Sequence, residues 1–390
     1  MSVPDFNNTE LAFQTKNDAQ LKQALWLFRM IDSPILASIG PKLLTWAFDW
    51  GLPVQSIAKK TLFDQFCGGI SLEDTVLAST FLYEKGKVRT ILDYSVEGEK
   101  SEKGFDATCA EIVDTLVHGG KYEAVAFTAC KITGLADFDL LAKIQANVQL
   151  SPAEVYAFEK VKARLTQICE AAQANDTPIF IDAEESWIQD TIDSLAEEAM
   201  RKYNTHKPLI YTTIQLYRHD RLAYLTGLIG RSKAKNYRLG VKLVRGAYME
   251  KEAKRAEERG YPNPIQPNKA ATDRDYNASL TLCIDNIQQV AICAGSHNEE
   301  SCRYLYELMS ERNMPNGHSH ILFAQLYGMS DHISFNLAHN GYNVAKYLPY
   351  GPVKAVMPYL MRRANENTSI AGQSSRELML LKKEVRRRKI

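Results

Sequence analysis

Through residues 1–86 the apolar side chains recur at three- and four-residue spacing, most clearly in LKQALWLFRMI and SLEDTVLASTFLYEKG. That is the period of a helix with one buried face, and Ser71, standing just before the acidic pair Glu73 and Asp74, is the expected N-cap of the second helix. From Lys87 onward short β-branched or apolar runs alternate with longer amphipathic stretches. The runs that read as strands are VRTILDYSV (88–96), AVAFTACKITG (124–134), PIFIDAEE (178–185) and PLIYTTIQLY (208–217). YRLGVKLVRGA (237–247), QVAICAGSH (289–297), HILFAQLYG (320–328) and YNVAKYLPYG (342–351) complete the set. Between them lie helical stretches such as AEVYAFEKVKARLTQICEAAQA and SWIQDTIDSLAEEAMRKYN, each long enough to cross back over a sheet.

Eight strand–helix units describe an α/β chain folded as a (β/α)8 barrel better than an open doubly wound sheet. The expected organisation is a helical N-terminal extension over 1–86 and a barrel over 87–390, with no low-complexity linker and no short-period repeat between them. In such barrels the chemistry sits at the C-terminal ends of the strands. Polar side chains gather there: Lys131 after the second strand, Asp182, Glu184 and Glu185 after the third, Gln215 and Arg218 on the fourth. Lys242, Arg245 and Tyr248 follow on the fifth, Ser296, His297 and Asn298 on the sixth, and Tyr347 on the eighth. A lysine and an acid inside otherwise apolar strands need a partner, because a buried charge is costly alone.

Composition changes this picture only by exclusion. The 390 residues are 45% apolar and 24% charged, which suits a soluble globular chain with a large core. Lys and Arg total 47 against 46 Asp and Glu, so the formal charge of +1 gives no field for a nucleic-acid partner. Apolar runs stop well short of the roughly 20 residues of a bilayer span. The N-terminus, MSVPDFNNTELAFQTKND, shows neither a secretory signal nor an Arg-rich transit segment. Seven cysteines with no CxxC pair fit buried thiols in a reducing compartment.

Four stretches, LVRGAYMEKEAKRA, IDAEES, AFTACKITGL and YLPYGPVKAVMPYLMRRANEN, together resemble the proline dehydrogenase family, specifically its monofunctional, eukaryote-like branch. The resemblance runs from about Ala24 to the C-terminus, and YxxRRxxEN with the upstream (K/R)LV(K/R)GAY is its most specific part. It implies a distorted (β/α)8 barrel that binds FAD, oxidises L-proline to 1-pyrroline-5-carboxylate and passes the electrons to a membrane quinone. It also implies a substrate-covering helix near the C-terminus, starting near Pro352, where proline suits a first turn. On that helix Arg362 and Arg363 clamp the proline carboxylate, a task that bidentate guanidinium contacts suit.

By the same resemblance Lys131 is a further cation near the substrate carboxylate, Tyr347 and Tyr359 wall the substrate ring, and Leu326 and Tyr248 pack around it. Relatives that prefer hydroxyproline carry a small residue at the position of Tyr347, so a tyrosine there favours proline. Asp182 and Lys242 match positions beside the flavin, where many relatives have arginine in place of the lysine. The remaining cofactor positions are Ala183, Gln215, Arg245, Gly246, Ala247, Ser296, His297, Asn298 and, toward the adenosine, Glu366. Glu97 on the first strand is a candidate gate that pairs with an arginine when the site closes. No GxGxxG follows the first strand, which argues against a dinucleotide-binding doubly wound domain.

His332 and His339 share a helical stretch but have no third ligand at a recognisable spacing, so no metal site is expected. The basic tail LLKKEVRRRKI reads either as a solvated helix end or as a contact with anionic lipid. The expected location is a bacterial cytoplasm with peripheral inner-membrane association, in preference to the mitochondrial inner membrane. Three alternatives stay open at this point: a hydroxyproline dehydrogenase, a barrel aldolase using Lys131 or Lys242 as a Schiff-base nucleophile, and a non-catalytic scaffold.

Overall fold

A computed structural model describes residues 3–31, 62–95, 99–353, 355–357, 359–360 and 373–390. Eight strands follow one another around a closed barrel: β1 (Arg89–Tyr94), β2 (Val125–Cys130), β3 (Ile179–Ile181), β4 (Ile210–Gln215), β5 (Leu239–Val244), β6 (Val290–Gly295), β7 (Ile321–Leu326) and β8 (Val344–Tyr350). The paired strands run parallel. Every strand expected from the sequence is present, and each is shorter than its apolar run.

For β2, β3 and β5 the shortening has a local cause. After Cys130 the chain leaves the ladder for a single 3₁₀ turn, Ile132–Gly134, closed by the Gly134 amide on Lys131 O at 3.1 Å. β3 ends at Ile181; the Asp182 amide still reaches Cys130 O, but further on Glu184 donates to Gln189 Oε1 and Ser186 to Glu252 Oε1, both at 2.7 Å. β5 ends before Gly246, whose φ of +136° suits glycine alone, and a Cβ there would lie 2.4 Å from the Tyr217 ring.

The chain divides into two compact units, Gly98–Ala324 and Met1–Glu97 with Gln325–Ile390. In the unit Gly98–Ala324, alternation puts Phe127, Ala129 and Lys131 on one face of β2 and its extension, Phe180 and Asp182 on β3, Tyr211, Thr213 and Gln215 on β4, and Gly240 and Lys242 on β5. Phe127 stacks on Phe180 with centroids 4.3 Å apart, and Tyr211 meets both rings edge-on. Gly240 makes room for this group, since a Cβ there would stand 2.6 Å from the Tyr211 ring. The aromatic floor thus lies one residue pair below the polar strand ends. Long helices cover the strands, and Pro152–Ala174 starts with a capping box of Ser151 and Glu154 and proline at the first position.

In the other unit, the helix Leu72–Gly86 opens with a capping box: Ser71 Oγ accepts the Asp74 amide while Asp74 receives the Ser71 amide. The helices Asp18–Ile31 and Gln373–Arg388 contribute to one apolar cluster with Phe66, Val356, Tyr359 and Leu360. β8 carries Lys346, 1% exposed, whose ammonium meets Asp331 at 2.8 Å; Lys16 reaches the same carboxylate at 3.3 Å. The basic tail is helical and largely engaged. Arg387 and Arg388 pair with the buried Glu384, and Arg388 also donates to Phe13 O and Lys16 O. Among the described residues no helix is long and apolar enough to cross a membrane. All seven cysteines are free and buried.

Candidate active site

The ends of β2, β3 and β5 bring three of the candidate residues together. Asp182 takes Lys242 Nζ on Oδ1 and Lys131 Nζ at 3.6 Å on Oδ2, so one carboxylate lies between two ammoniums. The Asp182 amide holds the strand end in place by donating to Cys130 O at 2.9 Å. Lys242 Nζ also stands 5.0 Å from the centroid of Phe180, over the aromatic floor. The cluster carries a net positive charge on side chains that are nearly shielded from water, a setting in which an anionic ligand is welcome.

One strand further, Gln215 is buried at the end of β4, beside Val244, and its Oε1 accepts no hydrogen bond among the described residues. Nearby Arg218 is also buried; Asp220 binds its Nε and Nη2 at 3.0 and 2.8 Å, while Nη1 has no partner among the described residues. Burying such groups unsatisfied is costly, and a bound ligand removes the cost.

Arg245 leads the turn after β5 and is held on three sides. Nε donates to Asp273 at 2.7 Å, Nη1 to Ser296 at 2.8 Å and Nη2 to Ser301 at 2.9 Å, and the guanidinium lies 4.4 Å from the Tyr276 centroid. Burial works to raise Asp273, but Lys269 and Arg245 outweigh it and hold the carboxyl below its ordinary range. Ser296 Oγ also accepts the Asn298 amide at 3.1 Å, and Asn298 caps the helix Glu299–Glu311 by accepting the Ser301 amide. Ser296 and His297 therefore lead directly into a helix N-terminus next to a fixed guanidinium. Gly246, Ala247 and Tyr248 form the turn into the helix Met249–Arg259, and Lys251 stands 5.6 Å from the Tyr248 ring. Ala183 is buried beside Asp182.

Leu326, Tyr347 and Tyr359 belong to the other unit. Tyr359 is part of its apolar cluster and Leu326 packs against that cluster, while Tyr347 is buried in β8 and its carbonyl accepts the Tyr327 amide at 2.9 Å. After β8 the chain is helical from Val353, and the carbonyl of Pro352 just before it accepts the amides of Ala355 and Val356 at 2.8 and 3.1 Å. Arg362, Arg363, Glu366 and Glu97 lie outside the described residues. His332 lies 3.7 Å from Glu377, and among the described residues no three His, Cys, Asp or Glu side chains gather as a metal site.

Several participants escape a reading of the sequence. Thr133, 51 residues before Glu184, gives that acid both of its donors, and Asp273, Tyr276 and Ser301 fix Arg245. Glu252, with no exposed surface, caps the helix Ser186–Tyr203 from a neighbouring helix by accepting Ser186 N and Oγ at 2.7 and 2.6 Å. Glu185, the residue in the cap position, makes no such bond.

A closed (β/α)8 barrel with buried charges at the C-terminal strand ends has the architecture of a barrel enzyme. The sequence profile described as "Proline dehydrogenase" matches residues 77–376, and the chain belongs to the proline dehydrogenase family of oxidoreductases. It is 30% identical to "Proline dehydrogenase 1, mitochondrial" of Dictyostelium discoideum over 98% of this chain and 74% of that protein. It is equally 30% identical to "Hydroxyproline dehydrogenase" of Xenopus laevis, over 96% and 88%. Among solved structures it is similar to proline utilization A from Bdellovibrio bacteriovorus, with a TM-score of 0.73 and 21% identity. That likeness covers 93% of this chain but only 38% of the larger one, and it bears on the fold. Family membership decides against the aldolase and the scaffold.

Proposed function

We propose that the chain oxidises L-proline to 1-pyrroline-5-carboxylate with FAD as cofactor and a quinone as final acceptor. The observation that carries this reading is the Lys131–Asp182–Lys242 cluster at adjacent strand ends, within a chain of this family. The residues present fit a flavin. The orphaned Gln215 Oε1 suits a ring N–H at the isoalloxazine edge, and Arg245 with the N-terminus of Glu299–Glu311 suits a pyrophosphate. A bound FAD supplies the acceptor for the hydride that leaves proline C5.

This chain's own residues bind and orient. Asp182 fixes the direction of Lys242, and the lysine's charge favours electron density arriving at the neighbouring cofactor edge. Lys131 stands ready for the substrate carboxylate, a role that Arg362 and Arg363 share. Tyr347, Tyr359, Leu326 and Tyr248 exclude water from the ring. Glu97 serves as the gate and Glu366 the adenosine end of the cofactor. Peripheral association with the membrane of a bacterial cytoplasm rests on the exposed Lys382, Arg386 and Lys389, because Arg387 and Arg388 are committed to Glu384.

Purified protein is expected to be yellow, and its flavin absorbance to bleach when L-proline is added without oxygen. A colourless protein, or a flavin unchanged by proline, overturns the proposal. Hydroxyproline is the second reading, favoured by the Xenopus relative. Tyr347→Ser is expected to raise the ratio of hydroxyproline to proline kcat/KM by opening space and offering a hydroxyl. An unchanged ratio removes Tyr347 from the substrate wall.

A further inference from the structure

Where the main-chain ladder between β2 and β3 stops, side chains continue it. The last ladder pair is Cys130 with Ile181, and the Lys131–Asp182 contact follows at 3.6 Å. Two residues on, the Glu184 carboxylate takes both donors of Thr133: Oε1 accepts the amide at 3.1 Å and Oε2 accepts the hydroxyl. Glu184 is 3% exposed, and its own amide is fixed by Gln189 Oε1. Thr133 is the middle residue of the 3₁₀ turn whose N-cap is Lys131 and whose closing bond falls on Lys131 O. Any shift of Thr133 is therefore passed to the backbone of Lys131.

We infer, on the reading in which Lys131 faces a substrate carboxylate, that Glu184 is a positioning residue: through Thr133 it fixes the turn carrying Lys131 and so sets where that ammonium stands. The ionisation of Glu184 then tunes affinity for the carboxylate. The groups facing it are Thr133 and Lys131 from the end of β2, Gln189 from the helix Ser186–Tyr203, and its neighbour Glu185, which is itself paired with Lys251 of Met249–Arg259 at 2.9 Å. Burial outweighs the bonds from Thr133 and pushes Glu184 up to about 7. Below that pH the group is a neutral acid with an O–H of its own; above it, a carboxylate accepts both Thr133 donors. Charge-assisted bonds are about twice as strong as neutral ones, so a carboxylate ligand is held roughly three- to tenfold tighter on the alkaline side.

The test is calorimetric titration of the flavin-loaded protein with cyclopentanecarboxylate from about pH 6 to about pH 8. The ligand has no amine and its own carboxyl titrates near the usual carboxylate range, so the change across this window comes from the protein. The parent is expected to bind more weakly at the acidic end. Glu184→Gln and Thr133→Val are each expected to flatten the dependence, and Thr133→Ser to restore it. A merely structural Glu184 lowers stability when changed but leaves the pH slope of binding intact, and that result overturns the inference, as does parental affinity that rises on acidification. If Glu184→Gln does not fold, the two Thr133 variants decide alone. A parent that is reduced by proline but shows no pH slope refutes the positioning role; a parent that neither binds the acid nor responds to proline refutes the functional reading beneath it.

Discussion

Replacing Asp182 with asparagine keeps the shape of the side chain and removes the charge that holds two lysines. The side chains of Asp182, Lys242 and Lys131 are 13%, 8% and 16% exposed, so water replaces little of what is lost. Removing one partner of a buried pair costs about 3–5 kcal/mol, and the residual exposure here places the expected loss near the lower end, at about 3 kcal/mol. The barrel is expected to stay folded, since losses of this size leave most domains with stability in hand. Urea unfolding measures the change as a lowered midpoint at constant slope.

A second change tells stranded charge from lost shape. If the loss comes from stranded ammoniums, Asp182→Asn combined with Lys242→Met is more stable than Asp182→Asn alone, because an apolar side chain then sits over Phe180 where an unpaired cation stood. Flavin reduction by proline is expected to slow in both. A single variant as stable as the parent, or a double variant no better than the single, refutes the account of Asp182 as the shared counter-ion.

Lys346→Met leaves the buried Asp331 with Lys16 as its remaining ion pair among the described residues and is expected to destabilise the chain by about 3 kcal/mol at neutral pH. Burial works to raise Asp331, but Lys346 and Lys16 overcome it and hold the carboxyl below its ordinary range. The stability it contributes is therefore present above the unfolded-state value and lost as pH falls through the folded one, so an acid titration of stability should show a shallower limb in the variant. Ser71→Ala removes half of a capping box and is expected to cost about 0.5–2 kcal/mol by the same urea assay. Arg362→Met and Arg363→Met are each expected to weaken proline binding roughly ten- to a hundredfold at unchanged FAD content while sparing pyrrolidine, which lacks the carboxylate. Equal losses for both ligands argue for misfolding instead.

The strands were legible because each is an apolar run bounded by a change of period, and in a parallel barrel their neighbours then follow from their order. Their ends were not, because a strand stops where its amides find other acceptors. PIFIDAEE reads as one strand, yet only Ile179–Ile181 pairs; Glu184 and Ser186 give their amides to Gln189 and Glu252, the second 66 residues away. The pairing of Asp182 with Lys242 was legible as a need for some partner. That Lys131 shares the same carboxylate was not, since that depends on the register that sets Cys130 opposite Ile181. The partners of Arg245 were illegible for a similar reason, lying 28 to 56 residues further along, on two helices and at the end of β6.

The two buried strand lysines show what decides between chemistry and structure. YRLGVKLVRGA and YNVAKYLPYG each place a lysine inside an apolar strand, and the sequence gives both the same warning of a charge that must be paired. Parity separates them. Lys242 shares its face with Gly240, opposite Tyr211 and Thr213, and so stands over the aromatic floor toward the strand ends. Lys346 pairs in register with Thr90, whose hydroxyl bonds Ser79 of the helix Leu72–Gly86, and its ammonium goes to Asp331 at the start of the helix Asp331–His339. It therefore faces the helices, while its neighbour Tyr347 takes the opposite face. A one-residue slip of β8 would exchange the two, placing the ammonium where the tyrosine stands and the ring among the charges of Asp331 and Lys16. The Asp331 contact thus does more than neutralise a charge: it holds the register that points Tyr347 away from the helices.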